Sequence, residues 1–150
     1  MDELIQQLNQ AGVRYLLIGG QAMRLLGMPR TTMDWDFFIP PRDEKNLARI
    51  NELLEEDLDG PLLPLGPHGE HFLQTYQTQW GVLQFHLAVP GAPRFDEAEA
   101  SAVTLTTNNG IPVKCLSGPH LLSAKRAANR PQDQQDIDFL EELRRVGKLL

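Results

Sequence analysis

Two aspartates one residue apart, Asp34 and Asp36 in the stretch MDWDFFI, are the residues best suited by type and spacing to do chemistry. The stretch alternates and then turns apolar, which predicts a strand over 33–39 that Pro40-Pro41 stops. Side chains alternate across a strand, so Asp34 and Asp36 share one face while Trp35 and Phe37 take the other. At ~3.3 Å per residue their Cα atoms lie roughly 6.5–7 Å apart. Aspartate is depleted in strands, and like charges side by side raise each other's pKa unless something compensates. A divalent cation is a natural compensator, because Mg²⁺ prefers carboxylate oxygens, typically one or two together with phosphate and water. A strand with one wet face, its aspartates merely solvated, is the other reading of the same two residues.

Gly19-Gly20 adds a second piece of chemistry. The pair follows VRYLLI, an apolar run that reads as a strand over 13–18, and precedes QAMRLLG, a short helix stopped at Gly27. Glycines there free backbone N–H groups at a helix N-terminus, where the dipole favours phosphate. Without Cβ atoms they also let a ligand approach the backbone closely. An ordinary strand-to-helix turn would use the same pair. Taken together, the two motifs place a phosphate cradle and a carboxylate pair on consecutive strands of one sheet.

The elements that must position these groups fit a single domain over 1–150, a usual domain length. A hydrophobic fraction of 41% and a charged fraction of 23% are those of a soluble globular protein, not of a disordered tail, a fibre or a disulfide scaffold. Leu4, Ile5 and Leu8 predict a helix over 2–11, and Leu47, Ile50, Leu53 and Leu54 a second over 43–57. Residues 59–69, rich in glycine and proline, form a loop. Strands follow near 71–78 and 81–89, then a short FDEAEA helix. VTLTT and IPVKCL flank Asn109-Gly110, a strong hairpin signal. Ser117 and Pro119 open a helix through LLSAKRAAN, and Pro131 starts the last one, striped by Ile137, Leu140, Leu143 and Val146. The expected architecture is α+β: a mixed β-sheet flanked by helices.

A net charge of −6 speaks against nucleic acid held by the whole surface. Basic residues gather only in the last quarter, at Lys125, Arg126, Arg130, Arg144, Arg145 and Lys148, where solvated helix surface accounts for most of them. No apolar run approaches the ~20 residues of a membrane span, and the acidic, amphipathic start does not read as a signal peptide. With one cysteine, Cys115, placed in an apolar strand as a small core residue, these features point to the cytoplasm.

The stretch LIGGQAMRLLGMPRTTMDWDFFI resembles the core motif of the nucleotidyltransferase superfamily: a hydrophobic strand, Gly-Gly, a short helix, then Asp-hydrophobic-Asp. Arg30-Thr-Thr-Met-Asp-Trp-Asp is similar to the Arg-x-Thr-x-Asp-x-Asp form of small bacterial members, which include minimal nucleotidyltransferases and the nucleotidyltransferase toxins of abortive-infection systems. LLSAKRAANRPQDQQDIDFL resembles their C-terminal segment through Lys125, Arg130, Asp133 and Asp136. The resemblance implies transfer of a nucleoside monophosphate from an NTP to a hydroxyl of an RNA, a protein or a small molecule. It implies Mg²⁺, with Mn²⁺ as the substitute, held by carboxylates of which Asp34 and Asp36 are the first two. Gly19 and Gly20 would cradle the triphosphate and Lys125 would contact phosphate. Arg30 would orient an aspartate or touch phosphate, if it is not simply exposed.

One departure from the family pattern matters. The usual third carboxylate comes from a later strand, whose counterpart here is VLQFHLAV, with Gln84 and His86 on one face. His86 is a candidate metal ligand there and Gln84 a candidate orienting group. Asp133 is the candidate functional acid of the C-terminal segment, although an acid in the first turn of a helix also suits the dipole alone. The alternative function is a catalytically silent module of this fold that binds nucleotide or a protein partner, as one half of a toxin–antitoxin pair. His68 and His71 make a poor zinc site by themselves.

Overall fold

Apolar positions at helical spacing fold the start of the chain onto the sheet: Leu4, Ile5 and Leu8 are buried in α1 (Asp2–Gln10). A computed structural model describes residues 2–150. It continues with β1 (Leu16–Ile18), α2 (Gly19–Leu25), β2 (Asp34–Phe38), α3 (Glu44–Leu53), β3 (Leu73–Thr78) and β4 (Gly81–His86). α4 (Phe95–Ala100), β5 (Val103–Thr106), β6 (Pro112–Cys115), α5 (Gly118–Ala128) and α6 (Gln134–Arg145) complete it. The six strands form one mixed sheet in the order β3-β4-β2-β1-β6-β5. At its centre β1 runs antiparallel to β2 and parallel to β6, while β2 runs parallel to β4. The α+β architecture expected from the sequence is the one observed.

Local chemistry sets the boundaries. Asp43 caps α3 by accepting the Asn46 backbone N–H at 3.0 Å, and Ser117 caps α5 by accepting that of His120 at 3.4 Å. α5 ends at Asn129 in the left-handed region (φ 47°). β1 begins at Leu16 rather than at Val13, because the preceding backbone is already bonded elsewhere. Val13 donates to the Leu8 carbonyl at 3.0 Å. Arg14 donates to Asn46 Oδ1 at 2.7 Å and accepts from Asn46 Nδ2 at 3.0 Å, so a buried side chain replaces a neighbouring strand. Helix α3 stops at Leu53, short of residue 57. Pro131 opens a short 3-10 turn, Pro131–Asp133, and α6 starts after it. The stripe of α6 is buried at Leu140 but runs out by Val146, which is 44% exposed.

Strand alternation separates an aromatic face from a polar one. On the first, Phe37 stacks between Trp35 and Phe85, with ring centroids at 6.1 and 5.8 Å, and meets Tyr15 edge-on at 5.7 Å. Such pairs add about 0.5–1.5 kcal/mol each beyond burial. Cys115 is fully buried and burial pushes its thiol up to about 12, which makes it an inert core residue. Among the described residues no helix is long and apolar enough to cross a membrane.

Candidate active site

The second face carries the carboxylates. Asp34 is exposed and Asp36 half-buried, two residues apart on β2, with Trp35 buried between them on the other side. The register puts Ile18 of β1 and Gln84 of β4 on either side of Asp36. Gly19, one residue beyond Ile18, has φ +69°, and a Cβ there would come within 2.6 Å of Asp36 Oδ2. A Cβ on Gly20 would meet Thr32 Cγ2 at 3.0 Å. The space these glycines leave is filled by Asp36 and Thr32, so their first role is to let β2 approach α2. The motif therefore brings Gly19 and Asp36 into contact.

On its other side Asp36 meets His86, whose Nε2 donates to Asp36 Oδ1 at 2.8 Å. His86 is thus a partner of the aspartate, and with Nε2 engaged by the carboxylate only Nδ1 keeps a lone pair for another partner. Thr32 supports the neighbouring residue, its Oγ1 accepting the Asp34 backbone N–H at 3.2 Å. Two residues before Asp34, Thr32 belongs to the Arg-x-Thr-x-Asp pattern, which is the signal that could have assigned it this task.

The C-terminal motif folds into a buried charge network. Asp133 and Asp136 are 1% and 2% exposed. Arg130 bonds Asp133 through Nε at 2.8 Å and Nη2 at 2.9 Å. Lys125 Nζ lies 3.4 Å from Asp133 Oδ1 and 2.9 Å from Asp136 Oδ2. Arg30 Nη1 lies 2.7 Å from both oxygens of Asp136. Arg30 is accordingly tied to Asp136 and not to Asp34 or Asp36. The hydrogen bonds from Arg130 hold the Asp133 carboxyl down at about 2, against the opposing effect of burial. That makes Asp133 a weak proton acceptor and an anchor for Lys125 and Arg130. Arg130 is raised in turn, chiefly by its bond to Asp133, with smaller contributions from the charges of Asp36 and Asp136. The Asp36 contribution connects the network electrostatically to the β2 carboxylate.

No protein-family model and no curated protein matches the chain in sequence. Solved structures do match in shape. An antigenic nucleotidyltransferase-like protein from Paracoccidioides brasiliensis superimposes with a TM-score of 0.60 at 24% identity, over 95% of this chain and 73% of the other. A protein of Thermotoga maritima assigned to the nucleotidyltransferases gives 0.58 at 12% identity, over 95% and 87%. The antibiotic-resistance factor ANT(2″)-Ia gives 0.55 at 19% identity, over 93% and 80%. This chain has the nucleotidyltransferase fold.

Within that fold, the donor set decides what ion the face suits. Asp34 and Asp36 offer hard oxygen ligands, which fit one Mg²⁺ completed by water and phosphate. Gln84 stands opposite Asp36 where a further acid would be needed. Among the described residues no group of three or more His, Cys, Asp or Glu side chains is arranged to hold a metal. The residues present therefore fit a single ion and do not fit a pair held by three carboxylates. His68 and His71 are exposed in the loop before β3, outside this arrangement.

Proposed function

We propose that the chain is a nucleotidyltransferase that moves a nucleoside monophosphate from an NTP to a hydroxyl of an RNA, a protein or a small molecule. The observation that supports this best is Asp36, set beside Asp34 on one strand face and flanked by Gly19 and His86. In this reading Asp34 and Asp36 hold Mg²⁺ or Mn²⁺, which neutralises phosphate charge when bound. The backbone N–H groups of Gly19 and Gly20 receive phosphate oxygens. Lys125, kept in place by two carboxylates, supplies a positive charge facing the triphosphate. The acceptor oxygen bonds to the α-phosphorus, the bond from that phosphorus to the α–β bridging oxygen breaks, pyrophosphate leaves, and the hydroxyl proton passes to water. A cytoplasmic setting, rich in NTPs and reducing for Cys115, suits the assignment.

Gln84 opposite Asp36 favours a second reading, in which the fold binds nucleotide or a protein partner of toxin–antitoxin type without turnover. Thermal unfolding with each NTP, with and without Mg²⁺ or Mn²⁺, on wild type and Asp36→Asn tests the first. Ligand at ~100 times its dissociation constant adds about 2.7 kcal/mol, several degrees for a chain of this size. A metal-dependent shift lost in the variant, with labelled nucleotide appearing on an acceptor, sustains the enzyme. A shift without transfer leaves the silent module, and no shift with any nucleotide removes nucleotide from both readings.

A further inference from the structure

The two oxygens of Asp36 face different ways. Oδ2 lies on the Gly19 side, where a Cβ would come within 2.6 Å, and Oδ1 on the His86 side, 2.8 Å from Nε2. In phosphoryl transfer the attacking and leaving oxygens are roughly in line. A triphosphate lying toward Gly19 therefore receives its acceptor from the His86 side. Past Phe38 and His86, the last residues of β2 and β4, the departing chain segments line a hollow of about 730 Å³. Phe38, two residues from Asp36 on the same strand face, forms part of its floor and packs edge-on against Phe95 at 5.3 Å.

The walls are fixed and the charges unevenly spent. Arg14 lies over the Phe95 ring at 5.2 Å and bonds Asp43 at 3.0 Å, Asp96 at 2.8 Å and Glu99 at 2.8 Å. Both lining acids, Asp43 and Asp96, are thereby taken. Arg42 and Arg94 remain as lining cations with no carboxylate partner among the described residues, and Arg42 spends one N–H on the Gly66 carbonyl at 3.2 Å. We infer that this hollow seats the acceptor, a small molecule that carries a carboxylate or phosphate, with Arg42 and Arg94 as the residues that select it. Guanidinium forks match such oxyanions, and Pro90 and Pro93 give an apolar wall for the rest of the ligand. Small-molecule sites occupy about 300–1,000 Å³. A chain of net charge −6 is poorly suited to a polynucleotide that would have to follow its surface.

The inference takes the direction of approach from the nucleotidyltransferase reading, but anion binding is measured without nucleotide or metal, so the two fail separately. Inorganic phosphate and citrate are titrated into wild type, Arg42→Gln/Arg94→Gln and Asp36→Asn, followed by backbone amide NMR shifts, with thermal unfolding to confirm that each variant is folded. The expected result is saturable binding with shifts at Arg42, Asp43, Ala92, Arg94, Phe95 and Asp96, weakened at least 10-fold in the double variant and changed less than 2-fold in Asp36→Asn. Absence of saturable binding, or equal binding in wild type and the double variant, overturns the site. Preference of the same two arginines for a short RNA over both small anions overturns the ligand class.

Discussion

Arg30 and Asp136 stand 106 residues apart in the chain, yet Arg30 Nη1 lies 2.7 Å from both carboxylate oxygens of Asp136. The contact ties the segment entering β2 to the first turn of α6. Lys125 adds a second cation to the same carboxylate at 2.9 Å, so the strand that carries Asp34 and Asp36 is anchored to the helices that carry the basic residues.

Asp136→Ala leaves Arg30 and Lys125 facing each other without their shared anion. Removing one partner of a buried ion pair costs about 3–5 kcal/mol, and this chain is expected to lose about 3 kcal/mol in urea unfolding. A loss below about 1 kcal/mol would show that water replaces the carboxylate and that the anchor contributes little.

Acid should find Asp133. Its carboxyl is held at about 2 against an ordinary 3.8, first by the bonds from Arg130. A depressed carboxylate contributes stability that is complete above its unfolded value and is lost as pH falls through its folded one. The difference is worth about 2 kcal/mol, released as pH falls from 3.8 toward about 2. Wild type is expected to lose that much more than Asp133→Asn over the window, read by denaturant unfolding at steps of pH. Parallel curves for the two proteins would refute the coupling.

Gly12 and Gly19 form a natural control pair, since both have φ +69° but a Cβ meets nothing within 4 Å at Gly12 and Asp36 at 2.6 Å at Gly19. Alanine in the left-handed region costs roughly 1–2 kcal/mol. Gly12→Ala is expected to cost that alone and to keep any metal-dependent nucleotide shift. Gly19→Ala is expected to be less stable than Gly12→Ala and to lose the shift, because Asp36 must move. Equal behaviour of the two variants would mean that the Gly19–Asp36 contact is slack.

Gln84→Asp restores an acid directly opposite Asp36. Without metal, two facing carboxylates repel and the midpoint should fall. With Mg²⁺ the midpoint should rise further than in wild type, because a third oxygen ligand joins the set. An unchanged response to Mg²⁺ would mean that position 84 does not face the ion.

What the residue pattern made legible was everything governed by short-range periodicity: the strand of Asp34 and Asp36, the hairpin at Asn109-Gly110 and the helix opened by Ser117. The expected β1 ran too long because Val13 and Arg14 look like strand formers, while their backbone groups are taken by Leu8 and by the side chain of Asn46, which lies in a different helix. The burial of Asp133 and Asp136 was not legible for a related reason. Their burial depends on Arg30, Lys125 and Arg130 converging from three segments, and no spacing within α6 encodes that. The strand face of His86 was legible, while its diagonal reach to Asp36 was not.

The central strand has a consequence for how the protein is made. β1 contains only three residues and is held by β2 on one side and on the other by β6, which is synthesised far later. A nascent chain emerges amino end first, so the strand leading to Gly19 waits with one edge bare until Cys115 has left the ribosome. Pairings so distant in sequence are slow to close. During translation the all-aliphatic strand Leu16-Leu17-Ile18 is therefore the one left longest with one edge unpaired.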